Sequence, residues 1–256
     1  MAPPDLDLVL DVGNTRTKAA LFGSGGLLRH AILPPRDGRA VDGFLAGAAP
    51  AAIVMASVAA PDEAFQNDLA RQAPLLEVRG ETPVPFNVAV DRRSTLGADR
   101  LANAAGLHAL FPGRRALAID AGTCITYDVM DEHGTFLGGV ISPCMSMRAR
   151  AMHTYSARLP LVEPGASVPS PGRDTVGALA AGIVHGIRLE MAGMIADLTH
   201  EHPDPVVVLT GGDGLRFARA LKSGIFADPL LTLRGLHAIL LHHRVGGGPF
   251  LAPGWG

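Results

Sequence analysis

The stretch Leu8–Phe22, with the sequence LVLDVGNTRTKAALF, decides the fold of this chain. It places a polar, turn-forming cluster, Asp11-Val12-Gly13-Asn14-Thr15, between two mostly apolar runs, the second of which begins at Lys18. Apolar, β-prone runs separated by such a cluster predict a strand, a tight turn and a second strand. Either the turn simply faces water at the end of a hairpin, or its backbone N–H groups and Lys18 hold an anion. In the second interpretation Asp11, at the end of a buried strand, would hold a hydrated Mg²⁺.

The same design recurs in residues 116–130, ALAIDAGTCITYDVM, where an apolar run leads to Asp120-Ala121-Gly122-Thr123 and another run follows. Two copies of one strand–loop–strand unit indicate an internal duplication. The turn Pro112-Gly113-Arg114-Arg115 is the candidate boundary. We therefore predict an N-terminal half over residues 1–114 and a C-terminal half over 115–256. Both polar loops could then face one nucleotide in a cleft between the halves.

Predicted strands and helices alternate along the rest of the chain, which favours an α/β fold. Buried strands are expected at residues 52–59 and 75–78, with a helix over 61–71 between them. In the second half, a strand over 205–209 ends at Thr210-Gly211-Gly212-Asp213. A glycine pair at the carboxyl end of a strand, leading into a helix, suits close contact with the sugar or base of a nucleotide.

The segment Thr95–Arg100, TLGADR, precedes a helix predicted over Leu101–Leu110, so that Asp99 and Arg100 lie at its first turn. An aspartate there is a common N-terminal cap, and this role alone would explain Asp99. Arg100 is harder to explain, because a cation at a helix N-terminus opposes the helix dipole. We therefore expect Arg100 to bind an anion such as a substrate carboxylate.

A long helix is predicted to open at Thr175. The hydroxyl of Thr175 either caps this helix or faces the predicted cleft. Ala178, Gly182 and Gly186 recur at every fourth residue and form a smooth stripe for close helix packing. The partner of that stripe is either another part of the chain or a second copy in a dimer.

The composition of the chain restricts its class. It has 256 residues, is 48% hydrophobic and 18% charged, and carries a formal charge of −2, so it can bury a substantial core and lacks the basic surplus of a nucleic-acid-binding protein. Its two cysteines, Cys124 and Cys144, fit no zinc or redox spacing, which favours a reduced setting over a disulfide framework. No signal-peptide pattern opens the sequence, and the uncharged runs 51–60 and 176–184 are too short to span a bilayer. We expect a cytoplasmic protein without a nucleic-acid or membrane partner.

These motifs together resemble those of the acetate and sugar kinase/actin superfamily and, within it, of type III pantothenate kinase. The resemblance runs from about Leu8 to His243, and the motifs in this order are far more specific than any one of them. In chain order they are Asp11–Thr15, Leu96–Arg100, Asp120–Thr123, Gly138–Pro143, the helix from Thr175, and Thr210–Gly212.

The resemblance implies two ribonuclease-H-like halves with a nucleotide cleft between them, and a homodimer with the acceptor site near the subunit interface. The implied activity is ATP-dependent phosphorylation of pantothenate to 4'-phosphopantothenate, the first step of coenzyme A biosynthesis. ATP would be the co-substrate, with Mg²⁺ and a monovalent cation, K⁺ or NH₄⁺, as cofactors.

The resemblance also implies roles for individual residues. Asp99 would be the general base that accepts the proton of the pantothenate hydroxyl. Asp11 would hold Mg²⁺ through water, and Asp120 would coordinate the monovalent cation. Pantothenate would be bound by Gly97, Ala98, Asp99, Arg100 and Thr175. ATP would be bound by Asp11, Gly13, Asn14, Thr15, Lys18, Gly122, Thr123, Gly211 and Gly212.

Two positions depart from the family pattern. Cys144 follows Pro143 where the family usually has glycine, and a positive φ there would cost a cysteine roughly 1 kcal/mol or more. Val90 stands where the family tends to have an aromatic residue near pantothenate. Both departures concern pantothenate binding rather than the phosphate chemistry. Two other functions stay open on the sequence: another small-molecule kinase of the superfamily, and a catalytically weak regulatory homologue.

Overall fold

A computed structural model of the chain describes residues 6–58, 61–165, 168–200, 204–221 and 225–246. These residues form two compact units. The first unit is built from the chain up to Leu110 and again from Leu230 onward, and the second spans Phe111–Pro229.

Strands and helices follow one another in the mixed order expected of an α/β protein. In chain order they are β1 (Asp7–Val12), β2 (Thr17–Gly23), β3 (Gly26–Leu33), α1 (Gly38–Leu45), β4 (Ala52–Ser57), α2 (Glu63–Gln72), β5 (Leu75–Val78), β6 (Asn87–Val88), α3 (Ala98–Leu110), β7 (Ala116–Ala121), β8 (Cys124–Met130), β9 (Thr135–Pro143), α4 (Met145–Thr154), α5 (Thr175–Thr199), β10 (Val206–Thr210), α6 (Gly214–Ala218), β11 (Ile225–Ala227) and α7 (Leu231–Gly246).

The two units repeat one strand arrangement. In the first unit the order is β3-β2-β1-β4-β5, in which β1 and β3 pair antiparallel with β2, and β1, β4 and β5 are parallel. In the second unit the order β9-β8-β7-β10-β11 has the same directions, strand for strand. The predicted α/β fold with two ribonuclease-H-like halves is confirmed.

Side-chain alternation along β1 gives its sheet two different faces. Leu8, Leu10 and Val12 are almost fully buried and join an apolar cluster with Val41 of α1 and Phe65 of α2. This face is therefore the core that α1 and α2 cover.

The opposite face of β1 carries Asp7, Val9 and Asp11. Asp7 is buried, and Arg244 of α7 donates to both of its carboxylate oxygens, with Nη1 at 2.9 Å from Oδ2. His237 Nε2, also on α7, lies 3.0 Å from Asp7 Oδ2. Helix α7 is thus fixed on the face of the sheet to which Asp11 also points.

Helix α7 corrects the predicted division of the chain. The sequence placed residues 115–256 in one half, whereas α7 packs in the first unit. The reason is that the apolar side chains of α7 are buried against α3 and the first sheet. Polar residues of α7 also bind Asp7 of that sheet. The buried residues are Leu231, Leu233, Leu236, Ile239 and Leu240.

Helix α5 is the longest helix of the second unit and the most apolar. By length and composition it could cross a membrane, and 28% of its most apolar window is buried. One face packs into the core of the second unit through Leu179, Ile183, Ile187 and Met191. The helix is therefore an integral part of that unit with a second, exposed apolar face.

Candidate active site

The first polar loop is a tight turn between β1 and β2. Gly13 N donates to Arg16 O across 3.0 Å, and a Cβ on Gly13 would lie only 3.1 Å from that oxygen. Asn14 and Thr15 are exposed at its tip. The turn therefore presents its polar tip residues to the outside.

Asp11 and Lys18 form an ion pair at the base of this turn. They are register partners on β1 and β2, and Lys18 Nζ lies 3.3 Å from Asp11 Oδ2. The Lys18 side chain is 18% exposed and the Asp11 side chain 15%, so both are largely buried. A carboxylate and a cation are thus held together beside a loop whose tip residues are exposed.

Asp99 lies in the first turn of α3. The helix begins at Ala98, one turn earlier than the predicted start, and Leu101 N donates to Gly97 O across 3.1 Å. Asp99 Oδ1 accepts a hydrogen bond from Arg100 N at 2.9 Å. A Cβ on Gly97 would lie 2.5 Å from Asp99 Oδ1, so a larger residue would displace the carboxylate. The sequence alternative of Asp99 as N-cap is wrong, since Asp99 is inside the helix.

The surroundings of Asp99 raise the pKa of its carboxyl group above the ordinary value. Burial is the largest cause, and the negative charge of Asp11 acts in the same direction. The backbone N–H and the positive charge of Arg100 oppose this rise without cancelling it. Desolvation and a like charge therefore make Asp99 a stronger proton acceptor than a surface aspartate.

The second and third polar loops meet within the second unit. Asp120 and Thr210 are register partners on the parallel strands β7 and β10, and Asp213 N donates to Ala121 O across 3.0 Å. Gly211 has a φ of +88°, and a Cβ there would overlap Asp120 Oδ1 and lie 2.5 Å from Ala121 O. Only glycine lets the two loops approach this closely.

The loop after β7 is a second tight turn. Gly122 N donates to Cys124 O across 2.9 Å. Thr123 is exposed at its tip, as is Gly212 in the neighbouring loop. The structure thus brings together Asp120, Gly122, Thr123, Gly211 and Gly212 in one place.

Cys144 connects this place to α4. It precedes the helix with φ at −85° and ψ at −173°, an extended conformation open to any residue, so cysteine causes no backbone strain there. Its thiol is buried and donates to Asp213 Oδ2 across 3.6 Å. Burial raises the pKa of Cys144 to about 12. Asp213 was not among the predicted site residues, although its position directly after the glycine pair is a signal for it.

Thr175 is the first residue of α5 and is exposed. The cap is Asp174, whose Oδ1 accepts from Gly177 N at 2.6 Å. The hydroxyl of Thr175 therefore does not cap this helix.

A polar network anchors the middle of α5. Tyr127 and Ser142 donate from their hydroxyls to Glu190 Oε1, at 3.0 and 2.6 Å, and Arg148 pairs with the other carboxylate oxygen. Burial opposes ionisation of Glu190, but these three partners outweigh it and lower the pKa of the carboxyl group. The network fixes α5 against β8, β9 and α4.

Metal ions have few protein ligands available in the parts of the chain that the structure describes. Those parts contain no group of three or more His, Cys, Asp or Glu side chains able to hold a metal. Asp11 and Asp120 are single carboxylates beside glycine-containing loops. Such a site fits Mg²⁺, which is commonly held by one or two carboxylates together with water and substrate phosphates.

Known sequences from one protein family are similar to this chain over most of its length. A sequence model of the type III pantothenate kinase family matches residues 7–197. The type III pantothenate kinase of Bacteroides fragilis is 38% identical over 240 residues, covering 93% of this chain and 99% of the relative. That of Porphyromonas gingivalis is 39% identical over 238 residues, covering 91% and 97%.

Solved structures share the fold. A Campylobacter jejuni protein described as a Baf family transcriptional activator has a TM-score of 0.60 at 22% identity, covering 93% of this chain and 99% of its own. A Sinorhizobium meliloti protein described as a 2-dehydro-3-deoxygalactonokinase has a TM-score of 0.57 at 16% identity, covering 92% and 96%. At these identities the likeness concerns the fold alone.

Proposed function

This chain belongs to the type III pantothenate kinase family, and we propose how its own residues carry out the ATP-dependent phosphorylation of pantothenate in coenzyme A biosynthesis. The single observation that carries the proposal is the partly buried carboxylate of Asp99 in the first turn of α3, with its pKa raised mainly by desolvation and further by the charge of Asp11. The proposed proton acceptor, Asp99, and the carboxylate of the first polar loop, Asp11, thus interact electrostatically within the first unit.

Asp99 is the general base. Phosphoryl transfer asks a protein mainly to align the groups and to stabilise charge. Asp99 orients the pantothenate hydroxyl and accepts its proton as the oxygen attacks phosphorus. Its raised pKa brings its basicity closer to that of groups that work near neutral pH.

Pantothenate is held by the residues around Asp99. Arg100 binds the pantothenate carboxylate, because a guanidinium matches a carboxylate in geometry and charge. Gly97 and Ala98, at the start of α3, let the pantothenate approach the backbone closely, and a Cβ on Gly97 would displace the Asp99 carboxylate. Thr175, whose hydroxyl is free of a capping role, is the further pantothenate contact.

ATP is held by the three polar loops. The exposed turn of Gly13, Asn14 and Thr15 binds phosphate oxygens, and Lys18 offsets their charge. In the second unit Gly122 and Thr123 make a further phosphate contact. Gly211 and Gly212 approach the nucleotide through backbone, which their lack of a side chain permits.

Two cations complete the proposal. Asp11 holds Mg²⁺ through water and Asp120 holds a monovalent cation, K⁺ or NH₄⁺. When bound, the ions neutralise charge on the transferring phosphate.

The active form that we propose is a cytoplasmic homodimer. Support comes from α5, which exposes an apolar stripe that includes Ala178, Gly182 and Leu189, with Leu189 60% exposed. Small residues on this stripe allow a second copy of the helix to approach closely. Because α5 opens with Thr175, dimerisation would place an acceptor-site residue at the subunit interface.

Pantothenate-dependent release of ADP tests the function. The purified chain is assayed with ATP, Mg²⁺ and K⁺, with and without pantothenate, and the product is identified by mass. We expect 4'-phosphopantothenate in equal amount to ADP. Turnover of a different alcohol in place of pantothenate would support another small-molecule kinase, and absence of turnover at saturating pantothenate would support a regulatory homologue.

A further inference from the structure

Helix α7 makes an unusually close approach to α3, the helix that carries Asp99. A Cβ on Gly235 of α7 would overlap Ala102 O and lie 2.8 Å from Gly106 N. In return, a Cβ on Gly106 of α3 would lie 2.8 Å from Leu231 O. With glycine on both sides, the two backbones touch, and α3 has little freedom to move along or away from α7.

A buried hydrogen bond fixes the register of this contact. Thr232 Oγ1 donates to Asn103 Oδ1 across 2.8 Å, and the two residues are 1% and 0% exposed. A directional bond between buried groups has one favourable geometry, whereas apolar packing alone tolerates small sliding.

Asn103 lies four residues after Asp99, so the two side chains project from the same face of α3. The hydrogen bond from Thr232 therefore acts one helical turn below the carboxylate of Asp99. Any rotation or shift of α3 relative to α7 would move Asp99 and the preceding Gly97. The space between these two residues is already tight, because a Cβ on Gly97 would clash with the Asp99 carboxylate.

Helix α7 is itself fixed on the first sheet. Arg244 and His237 hold Asp7 at the start of β1, and the His237 ring stacks on Phe22 of β2 with a centroid distance of 4.1 Å. Asp11 and Lys18 are register partners at the other end of the same two strands. Helix α7 therefore packs against both the β1–β2 hairpin, which carries Asp11 and Lys18, and α3, which carries Asp99.

We propose that Thr232, supported by the glycine contact at Gly235, is a positioning residue for Asp99. This inference rests on the proposed function, because it assumes that Asp99 is the base. Thr232 does not touch substrate; it holds α3 at the height and rotation at which Asp99 meets the pantothenate hydroxyl.

Thr232→Val tests the inference, because valine keeps the shape of threonine and removes the hydroxyl. We expect kcat to fall about tenfold and KM for pantothenate to rise, since a displacement of about 1 Å can cost up to about a hundredfold in rate. KM for ATP should stay at the wild-type value. Thr232→Ser, which restores the hydroxyl, should recover most of kcat. Gly235→Ala is less informative, because its overlap with Ala102 threatens folding.

Thr199→Val is the matched control. Thr199 is also a buried threonine, but its hydroxyl bonds to Ile195 O within α5 of the second unit. Assays are run well below both melting temperatures, so that loss of folded protein does not enter kcat. The inference is overturned if Thr232→Val keeps wild-type kcat, changes both KM values equally, or is not rescued by serine. An inactive wild-type chain would instead reject the proposed function.

Discussion

Lys18 Nζ lies 3.3 Å from Asp11 Oδ2, with the two residues opposite each other on β1 and β2. The pair is three-quarters or more buried at the side-chain level, and it stands where the hairpin turns. This relationship fixes a cation and a carboxylate side by side at the base of the turn between β1 and β2.

Replacement of Lys18 by methionine should weaken ATP binding. The variant keeps the aliphatic stem but loses the cation, so we expect KM for ATP to rise about tenfold, equivalent to about 1.4 kcal/mol for one charge-assisted bond. KM for pantothenate should be unchanged. Steady-state kinetics with each substrate varied give both constants. Arg39→Gln removes an exposed cation elsewhere in the first unit and serves as the control; an equal effect of both changes would count against a specific role for Lys18.

Replacement of Asp99 by asparagine should abolish most turnover. Asparagine keeps the shape and the oxygen that accepts from Arg100 N, but it cannot take a proton. We expect kcat to fall by about 10²- to 10⁴-fold, the usual contribution of a general base, while pantothenate still binds by calorimetry. Asp91→Asn, an exposed aspartate of the same unit, should leave kcat unchanged. Near-normal kcat in Asp99→Asn would mean that another group is the base.

The same variant should be more stable than the wild type at alkaline pH. The pKa of Asp99 is raised in the folded chain, mainly by burial, so folding favours the protonated form. The stability linked to this proton is present in full below the unfolded pKa and is lost as the pH rises through the higher folded pKa. Asparagine does not ionise, so we expect Asp99→Asn to have the higher melting temperature at pH 8 and the difference to shrink on acidification. A constant difference between pH 4 and pH 8 would argue against a raised pKa.

The backbone of Gly211 should not tolerate alanine. Its φ of +88° and the short distance from a Cβ to Ala121 O both oppose a side chain, and a left-handed conformation alone costs about 1–2 kcal/mol. We expect a lower urea midpoint and a raised KM for ATP. Gly43→Ala, in α1 with no atom within 4 Å of its Cβ, is the control and should keep both values. Unchanged ATP affinity in Gly211→Ala would place the nucleotide away from this loop.

The exposed apolar stripe of α5 should hold two copies together. Leu189 is 60% exposed on this face, and Leu189→Asp would place a charge in the interface. We expect a monomer by light scattering after size-exclusion chromatography, with reduced activity because the proposed dimer has Thr175, a proposed acceptor-site residue, at its interface. Leu28→Asp changes an equally exposed leucine of β3 and should leave the dimer intact. A wild-type monomer would overturn the dimer proposal.

Much of the fold could be read from the sequence because its signals are local. The hairpins around Asp11 and Asp120 are short apolar runs on either side of a polar turn, and their repetition predicts two similar halves. Strand β5 has the predicted limits, Leu75–Val78, and α5 opens at Thr175 as predicted. The glycine pair at Gly211 predicted close contact with a nucleotide, and this stays a prediction. The positive φ and the short distance to Ala121 O are a separate, structural reason for glycine there.

Other features depended on contacts between residues far apart in the chain. From the residues alone the sequence favoured an N-cap role for Asp99, and only the family resemblance implied the role of general base. The structure places Asp99 inside α3, partly buried and near the charge of Asp11, which excludes the N-cap role. The extended backbone of Cys144 removed the expected strain, and its bond to Asp213 joins residues 69 positions apart. Neither a backbone angle nor a distant partner is encoded in the identity of one residue.

By itself, the sequence identified three glycine-containing polar loops, an aspartate beside an arginine, and the family to which they belong. The tertiary structure decided where the last helix packs and therefore how Asp99 is held. An amphipathic helix specifies that one face will be buried, but not which surface will bury it. For α7 that surface is α3 and the first sheet, because glycines at positions 106 and 235 permit the backbones to meet and Asp7 binds Arg244 there.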